Sequence, residues 1–298
     1  MITYNGPILV SATGVEQYSH GTSAFPCGCY FNDPHSNEVP FHWHDEYEVV
    51  VVQEGELLYL AGGERYVLRK GDAVFVNADV PHAEQAIDNK SAMEGDLVFH
   101  PRMLYGDEST ALWINYFRHL AQPGAVQSCV LRADGEPWEQ EAASLFAQAF
   151  EVIAYEKQFF EAKARDYLTH ATLLILANHP LQEETASKVT YLRSVDRLKG
   201  MISFIEEHYA EDLTIEQIAR AGGVSQREAQ REFQSVLGAR PMEYLTNHRL
   251  FVASQMLKST DASIGEVARS CGFGSQSYFT KRFRERYGHT PSQHRSEG

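Results

Sequence analysis

The last third of the chain repeats itself, and this repeat limits the possible folds more than any bulk property does. Thr214-Ile-Glu-Gln-Ile-Ala219 returns as Ser263-Ile-Gly-Glu-Val-Ala268, 49 residues later, and Ser225 to Pro241 returns as Ser275 to Pro291, shifted by 50. Phe233 matches Phe283, Gly238 matches Gly288 and Pro241 matches Pro291. A segment used twice in this way is one supersecondary unit in tandem copies. Apolar residues within each copy recur at helical spacing, so each unit is predicted to be a short pair of helices.

Each copy carries the parts of a helix-turn-helix. Thr214 with Gln217 three residues on forms a capping box that satisfies free amide donors, and Ile215 and Ile218 give that helix a buried face. Ala219 is small where a large side chain would hold two helices apart, and Gly222-Gly223 tolerates the positive φ of a short connection. Ser225 and Glu228 open the next helix, which Gly238 is predicted to end. In the second copy Ser263 and Glu266 cap, Gly272 turns, and a helix is predicted from about Ser275 to Tyr287. A plain helical bundle uses caps and glycine turns as well. Against that reading stand the duplication and the polar face of each second helix: Gln226, Arg227, Gln230 and Arg231 on one, Gln276, Ser277, Thr280, Lys281 and Arg284 on the other. Such side chains bond base edges and phosphates. Glu228 and Glu232 make the first of these helices locally neutral.

Over about 100 residues this region resembles the AraC/XylS family of bacterial transcription regulators. The resemblance rests on Ile218-Ala-Arg, Phe233, Gly238-x-x-Pro241, Arg249, Ala268, Gly272-Phe273, Ser277-Tyr-Phe-Thr-Lys-Arg-Phe283 and Gly288-x-Thr-Pro291. It implies double-stranded DNA as a partner, with the two second helices in successive major grooves. Arg227, Gln230 and Arg231 would read one groove; Gln276, Ser277 and Lys281 would read the other. Ala229 departs from the family pattern, which favours a larger apolar residue there, and so predicts looser packing of the first unit.

A second constellation lies far upstream. In Phe41-His-Trp-His-Asp-Glu-Tyr-Glu48, strand alternation is expected to send His42, His44 and Glu48 to one face, and Gly71 to His82 supplies one more histidine after a turn. Imidazole and carboxylate together suit a divalent metal, and they suit still better a hydrogen-bonded effector pocket without metal. A purely apolar core role is excluded by the cost of burying so many titratable groups. Tyr59 and Tyr66 are candidate pocket walls, although aromatics in strands more often simply pack. The stretch resembles a cupin, a small β-barrel. His-x-His, three residues, Glu, six residues and Gly are met at His42, His44, Glu48 and Gly55. The second cupin motif is met at Gly71 and His82, but Asn77-Ala-Asp79 stands where Pro-x-Gly is usual, and Ser36 stands for the leading glycine of the first.

Composition sets the remaining bounds. The net charge of −14 argues against nucleic acid until it is divided. From Ser194 to Gly298 there are 14 Lys/Arg against 13 Asp/Glu, whereas the first 193 residues carry 12 against 27. Only the C-terminal part is free of a field that repels phosphate. Four cysteines, in which Cys27-x-Cys29 lacks a second pair, favour reduced thiols over a zinc site, and with no basic segment leading into a long apolar run the expected compartment is the cytoplasm, without a membrane partner. From Trp138 to His179 two helices are expected, with Phe146, Ala149, Phe150 and Ile153 as an apolar stripe that packs on the barrel by default; the family resemblance implies a homodimer contact there, and both can hold.

The chain therefore reads as an α+β multidomain protein. Residues 1–105 form an N-terminal arm and cupin barrel, 106–180 a helical dimerisation segment, 181–193 a linker around Leu181 to Lys188, and 194–298 an all-α domain with two helix-turn-helix motifs. The leading function is transcription regulation by a small-molecule effector; the family resemblance implies a carbohydrate or related small polar metabolite as the modal effector class, and RNA polymerase is a candidate partner. The alternative is a metal-dependent cupin enzyme tethered to DNA.

Overall fold

In the computed structural model, residues 3–4, 20–35, 39, 41–88, 90–122, 124–180, 186–237 and 239–297 are described. Ser36, Gly238 and the first half of the polar linker, 181–185, lie outside them. The chain divides into two compact units at Thr190/Tyr191.

The first unit holds strands β1 (Thr3–Tyr4), β2 (Cys27–Asn32), β3 (Tyr47–Glu54), β4 (Glu56–Ala61), β5 (Glu64–Arg69), β6 (Ala73–Val76), β7 (His82–Ala86) and β8 (Met93–Phe99). Short helices α1 (Arg102–Tyr105) and α2 (Ala111–Asn115) follow, then β9 (Ser128–Leu131), α3 (Pro137–Ala154) and α4 (Phe160–Asn178). Two sheets form, one in the order β1-β2-β8-β3-β6-β9 and one in the order β5-β4-β7. The barrel does not stop at residue 105 as the sequence suggested. β9 comes from inside the stretch read as helical and completes the larger sheet against β6, with Val74 opposite Val130.

Alternation along the larger sheet decides what each face meets. Tyr47, Val49, Val51, Ala73, Phe75, Leu97 and Phe99 share one apolar cluster with Phe146, Ala149, Phe150 and Ile153 of α3 and Ala164, Leu168, Ala171 and Ile175 of α4. The expected stripe thus packs on the barrel. Each such large side chain taken fully out of water stabilises by about 1.5–3 kcal/mol. Val50, Val52, Val74 and Val76 form a second cluster with Leu57, Tyr59 and Leu68 of the smaller sheet. The strands of the larger sheet are therefore buried on both sides, and a polar residue on the inner face is sealed in.

The second unit is helical: α5 (Ala186–His208), α6 (Ile215–Ala221), α7 (Gln226–Leu237), α8 (Pro241–Ser259), α9 (Ile264–Ser270), α10 (Gln276–Tyr287) and α11 (Pro291–Glu297). α5 begins at Ala186, inside the stretch read as a linker, so that stretch is in part regular helix. The capping boxes form as expected at Thr214/Gln217 and Ser263/Glu266, and Ser225 bonds reciprocally with Glu228. Arg249 donates to the carbonyls of Tyr209 and Glu211, each at 2.6 Å, closing the end of α5. Arg295 does the same past α8, donating to Leu257 and Ala262. No described helix is long and apolar enough to cross a membrane.

Candidate functional site

Four of the six barrel residues singled out from the sequence converge on one point. One ligand atom from each of His42, His44, Glu48 and His82 lies within 4.8 Å of all the others, and all four side chains are buried. They do not reach it as one strand. β3 starts only at Tyr47, while His42 forms an isolated bridge with His82 and the chain from His44 to Glu46 bends over the barrel end. Cross-chain pairing, with His42 and His82 exchanging backbone bonds at 3.0 and 2.9 Å, brings the two motifs together. Tyr59, the fifth, is fully buried on β4 and donates its hydroxyl to Glu48 Oε1 at 2.8 Å. Tyr66 stands apart, half-buried and bonded to Ser128 Oγ at 3.1 Å.

His82 Nδ1 lies 2.8 Å from the Val80 carbonyl and His44 Nδ1 lies 3.2 Å from that of Glu46. A carbonyl only accepts, so each Nδ1 carries hydrogen and donates. The two Nε2 atoms then face the same Glu48 Oε2, at 3.0 and 3.1 Å. A bare imidazole lone pair against a carboxylate oxygen is repulsive, so the cluster requires added positive charge. Protons on the imidazoles supply it; so does a divalent cation. Backbone carbonyls that fix the ring through Nδ1–H and leave Nε2 inward are the usual outer support of metal-binding histidines. The residues therefore fit a cation of imidazole and carboxylate preference. Burial alone would raise the Glu48 carboxyl, but His82 and the bonds from both imidazoles hold it well below the usual carboxylate range. Burial would lower His82, and Glu48 outweighs it and raises it.

Sequence reasoning missed the rest of the barrel interior. His20 is buried, donates to or accepts from Tyr30 Oη at 2.8 Å, and its ring centre is 5.8 Å from that of His44. Glu84, Glu94 and Asp96 form a second buried acidic group. Asn32 Nδ2 donates to Glu84 at 3.1 Å and to Glu94 at 2.9 Å. Burial raises Glu84 to about 7 and Glu94 well above its ordinary value. A signal was present: His82-Ala-Glu84 and Glu94-Gly-Asp96 have the period of a strand, and polar residues at that period beside apolar ones mark an inner face. The two strands gave no spacing motif by which to find them.

On the helical unit, Gln226, Arg227, Gln230 and Arg231 are all exposed on α7. On α10, Gln276, Ser277, Lys281 and Arg284 are exposed and Thr280 is half-buried. The α10 set lines one open concavity together with Glu285 and Thr290. Glu228 is occupied in capping, 2.8 Å from Ser225 Oγ. Glu232, which with Glu228 makes this helix locally neutral, is buried. All four cysteines are free and buried.

A barrel with a sealed polar interior and a tandem pair of capped helical readers define a ligand-binding transcription regulator. The AraC-like ligand binding domain family matches residues 28–170, and a helix-turn-helix domain family matches residues 218–297. The HTH-type transcriptional regulator YdeC of Bacillus subtilis is 24% identical over 93% of this chain and 94% of its own length. The HTH-type transcriptional activator RhaS of Klebsiella pneumoniae is 25% identical over 85% of this chain and 86% of its own. Among solved structures, the DNA-binding domain of AdpA in complex with a target DNA is 31% identical, with a TM-score of 0.33, over 34% of this chain and 91% of that one. The chain belongs to the AraC family of helix-turn-helix transcriptional regulators, with an N-terminal AraC-like ligand-binding domain. It binds DNA as a regulator and is not an enzyme, which removes the tethered-enzyme alternative.

Proposed function

We propose that an effector bound at the His42, His44, Glu48, Tyr59 and His82 cluster controls how α7 and α10 read DNA. The observation that carries this is the convergence of those buried polar groups inside the domain that matches a ligand-binding family. Their hydrogen-bonding capacity, with the acidic group beside them, suits a hydroxyl-rich effector of the carbohydrate class. His42, His44, Glu48 and His82 are also the ligands of any divalent metal held there. Gln226, Arg227, Gln230 and Arg231 read one major groove; Gln276, Ser277, Thr280, Lys281 and Arg284 read the next. The regulator acts in the cytoplasm as a homodimer and contacts RNA polymerase at its promoters.

The test is DNA binding by the full chain to duplexes from its own genomic neighbourhood, titrated against salt. Affinity is expected to fall steeply with salt, as phosphate contacts release counterions. Arg231→Ala or Lys281→Ala should each weaken it, with a lost base contact costing about 1–3 kcal/mol. Salt-insensitive binding, or variants indistinguishable from the parent, would overturn the assignment of these faces.

A further inference from the structure

The two reading helices occupy the same place in their repeats, so residues 50 apart should meet like surroundings. Phe233 and Phe283 do: both are fully buried. Elsewhere the two buried faces differ. Phe279 is fully buried on α10, with its ring 5.0 Å from Phe273 and 5.5 Å from Phe283. Its counterpart on α7 is Ala229, also fully buried but offering only a methyl group. Arg282 of α10 is one-third exposed and donates to Glu285 of its own helix at 2.7 Å. Its counterpart on α7 is Glu232, which is only 2% exposed.

Glu232 points to another helix. Its Oε1 accepts from Ser194 Oγ at 3.4 Å and lies 3.6 Å from Arg197 Nη1, both on α5. Its Oε2 is buried with no hydrogen-bond partner. Burial raises this carboxyl, while Arg197 and then Ser194 and Arg231 draw it down. A carboxylate held in this way is costly to keep and costly to strip of its partner, which makes it sensitive to where α5 stands. Arg231, the next residue, projects from the same turn of α7 to the exposed side.

We propose that Glu232, held by Arg197 and Ser194, is the positioning residue of the first DNA reader. A cross-helix charge contact does for α7 what Phe279 does for α10 by packing. Base selectivity in one half of the bound site then depends on that contact, and selectivity in the other half does not. This rests on the reading of α7 and α10 as the two DNA readers.

The experiment selects bound duplexes from a randomised pool with the full chain and records base preference position by position. Arg231→Ala and Lys281→Ala mark which half belongs to which helix. Glu232→Gln and Arg197→Met are each expected to flatten preference in the α7 half by about tenfold, the scale of a contact-pair coupling. The α10 half should be unchanged. The exchanged pair, Glu232→Arg with Arg197→Glu, should recover part of the α7 preference, which simple loss of packing would not. Wild-type preference in both halves for Glu232→Gln and Arg197→Met would overturn the inference, as would equal loss in both halves. Failure of the unaltered chain to select any sequence would instead overturn the reading of the helices themselves.

Discussion

At the scale of single residues, His44 Nε2 and His82 Nε2 both face Glu48 Oε2, and replacing His44 by Ala separates the two ways of charging that cluster. If a cation is held, elemental analysis of the parent shows it and the variant loses it, with the barrel still folded. If protons alone serve, both proteins are blank and effector affinity changes instead. A folded His44→Ala and Glu48→Ala pair with wild-type effector response would remove the sensing site from this cluster. The cluster was largely legible in the sequence because His-x-His, Glu and a later His carry spacing as well as chemistry. Its companions were not, since Glu84 on β7 and Glu94 and Asp96 on β8 belong to different sheets, and His20 lies on neither strand. A different histidine also contributes to acid sensitivity. His248 of the helical unit is mostly buried, with its side chain 14% exposed, and burial lowers it from the ordinary 6.5 to about 4. The unfolded chain then takes up the proton first, so stability is full above pH 6.5 and falls as pH drops toward 4. The loss is at most about 3 kcal/mol, the free energy that corresponds to that displacement. Urea unfolding from pH 7 to 4 should show this slope, and His248→Gln should flatten it; an unchanged slope would assign the acid sensitivity to other groups.

Among the elements, the capped helices were the most readable, because a cap is a local contact between residues three apart. β9 was not readable: Ser128-Cys-Val-Leu131 is too short to show a period, and only its place beside β6 makes it a strand. The start of α5 was hidden for a related reason, since a polar composition is compatible with both linker and exposed helix. The turn glycines give a graded test of how far local geometry matters. Gly223 has φ +65° with open space around its missing side chain, whereas Gly272 has φ +75° and a Cβ there would meet the Ala210 carbonyl oxygen at 2.7 Å. Gly223→Ala should therefore cost only the left-handed backbone penalty, about 1–2 kcal/mol. Gly272→Ala should cost more, because backbone of the α5 exit must move as well. Thermal unfolding of the two variants, side by side, checks the order; equal midpoints would mean that the second turn relaxes freely.

For the whole molecule, the division into sensor and reader was visible in the charge asymmetry and the repeat, while the extent of the barrel was not, since that depends on pairing across many residues. Self-association is expected to belong to the sensor unit, where Tyr155 and Phe159 at the α3–α4 turn are 62% and 67% exposed. Sedimentation should show a dimer for the full chain and for residues 1–180, raising DNA affinity through effective concentration; a strict monomer in both would place the contact elsewhere or nowhere. His42 and His82 are 1% exposed, Tyr59 is 0%, and His44 and Glu48 are 5%. A ligand seated against them, as proposed above, has to displace buried neighbours to enter, so its exchange is expected to follow local opening of the surrounding chain and not the rate of encounter. A regulator built this way is expected to average its signal over its own dwell time, damping brief pulses and passing on sustained ones.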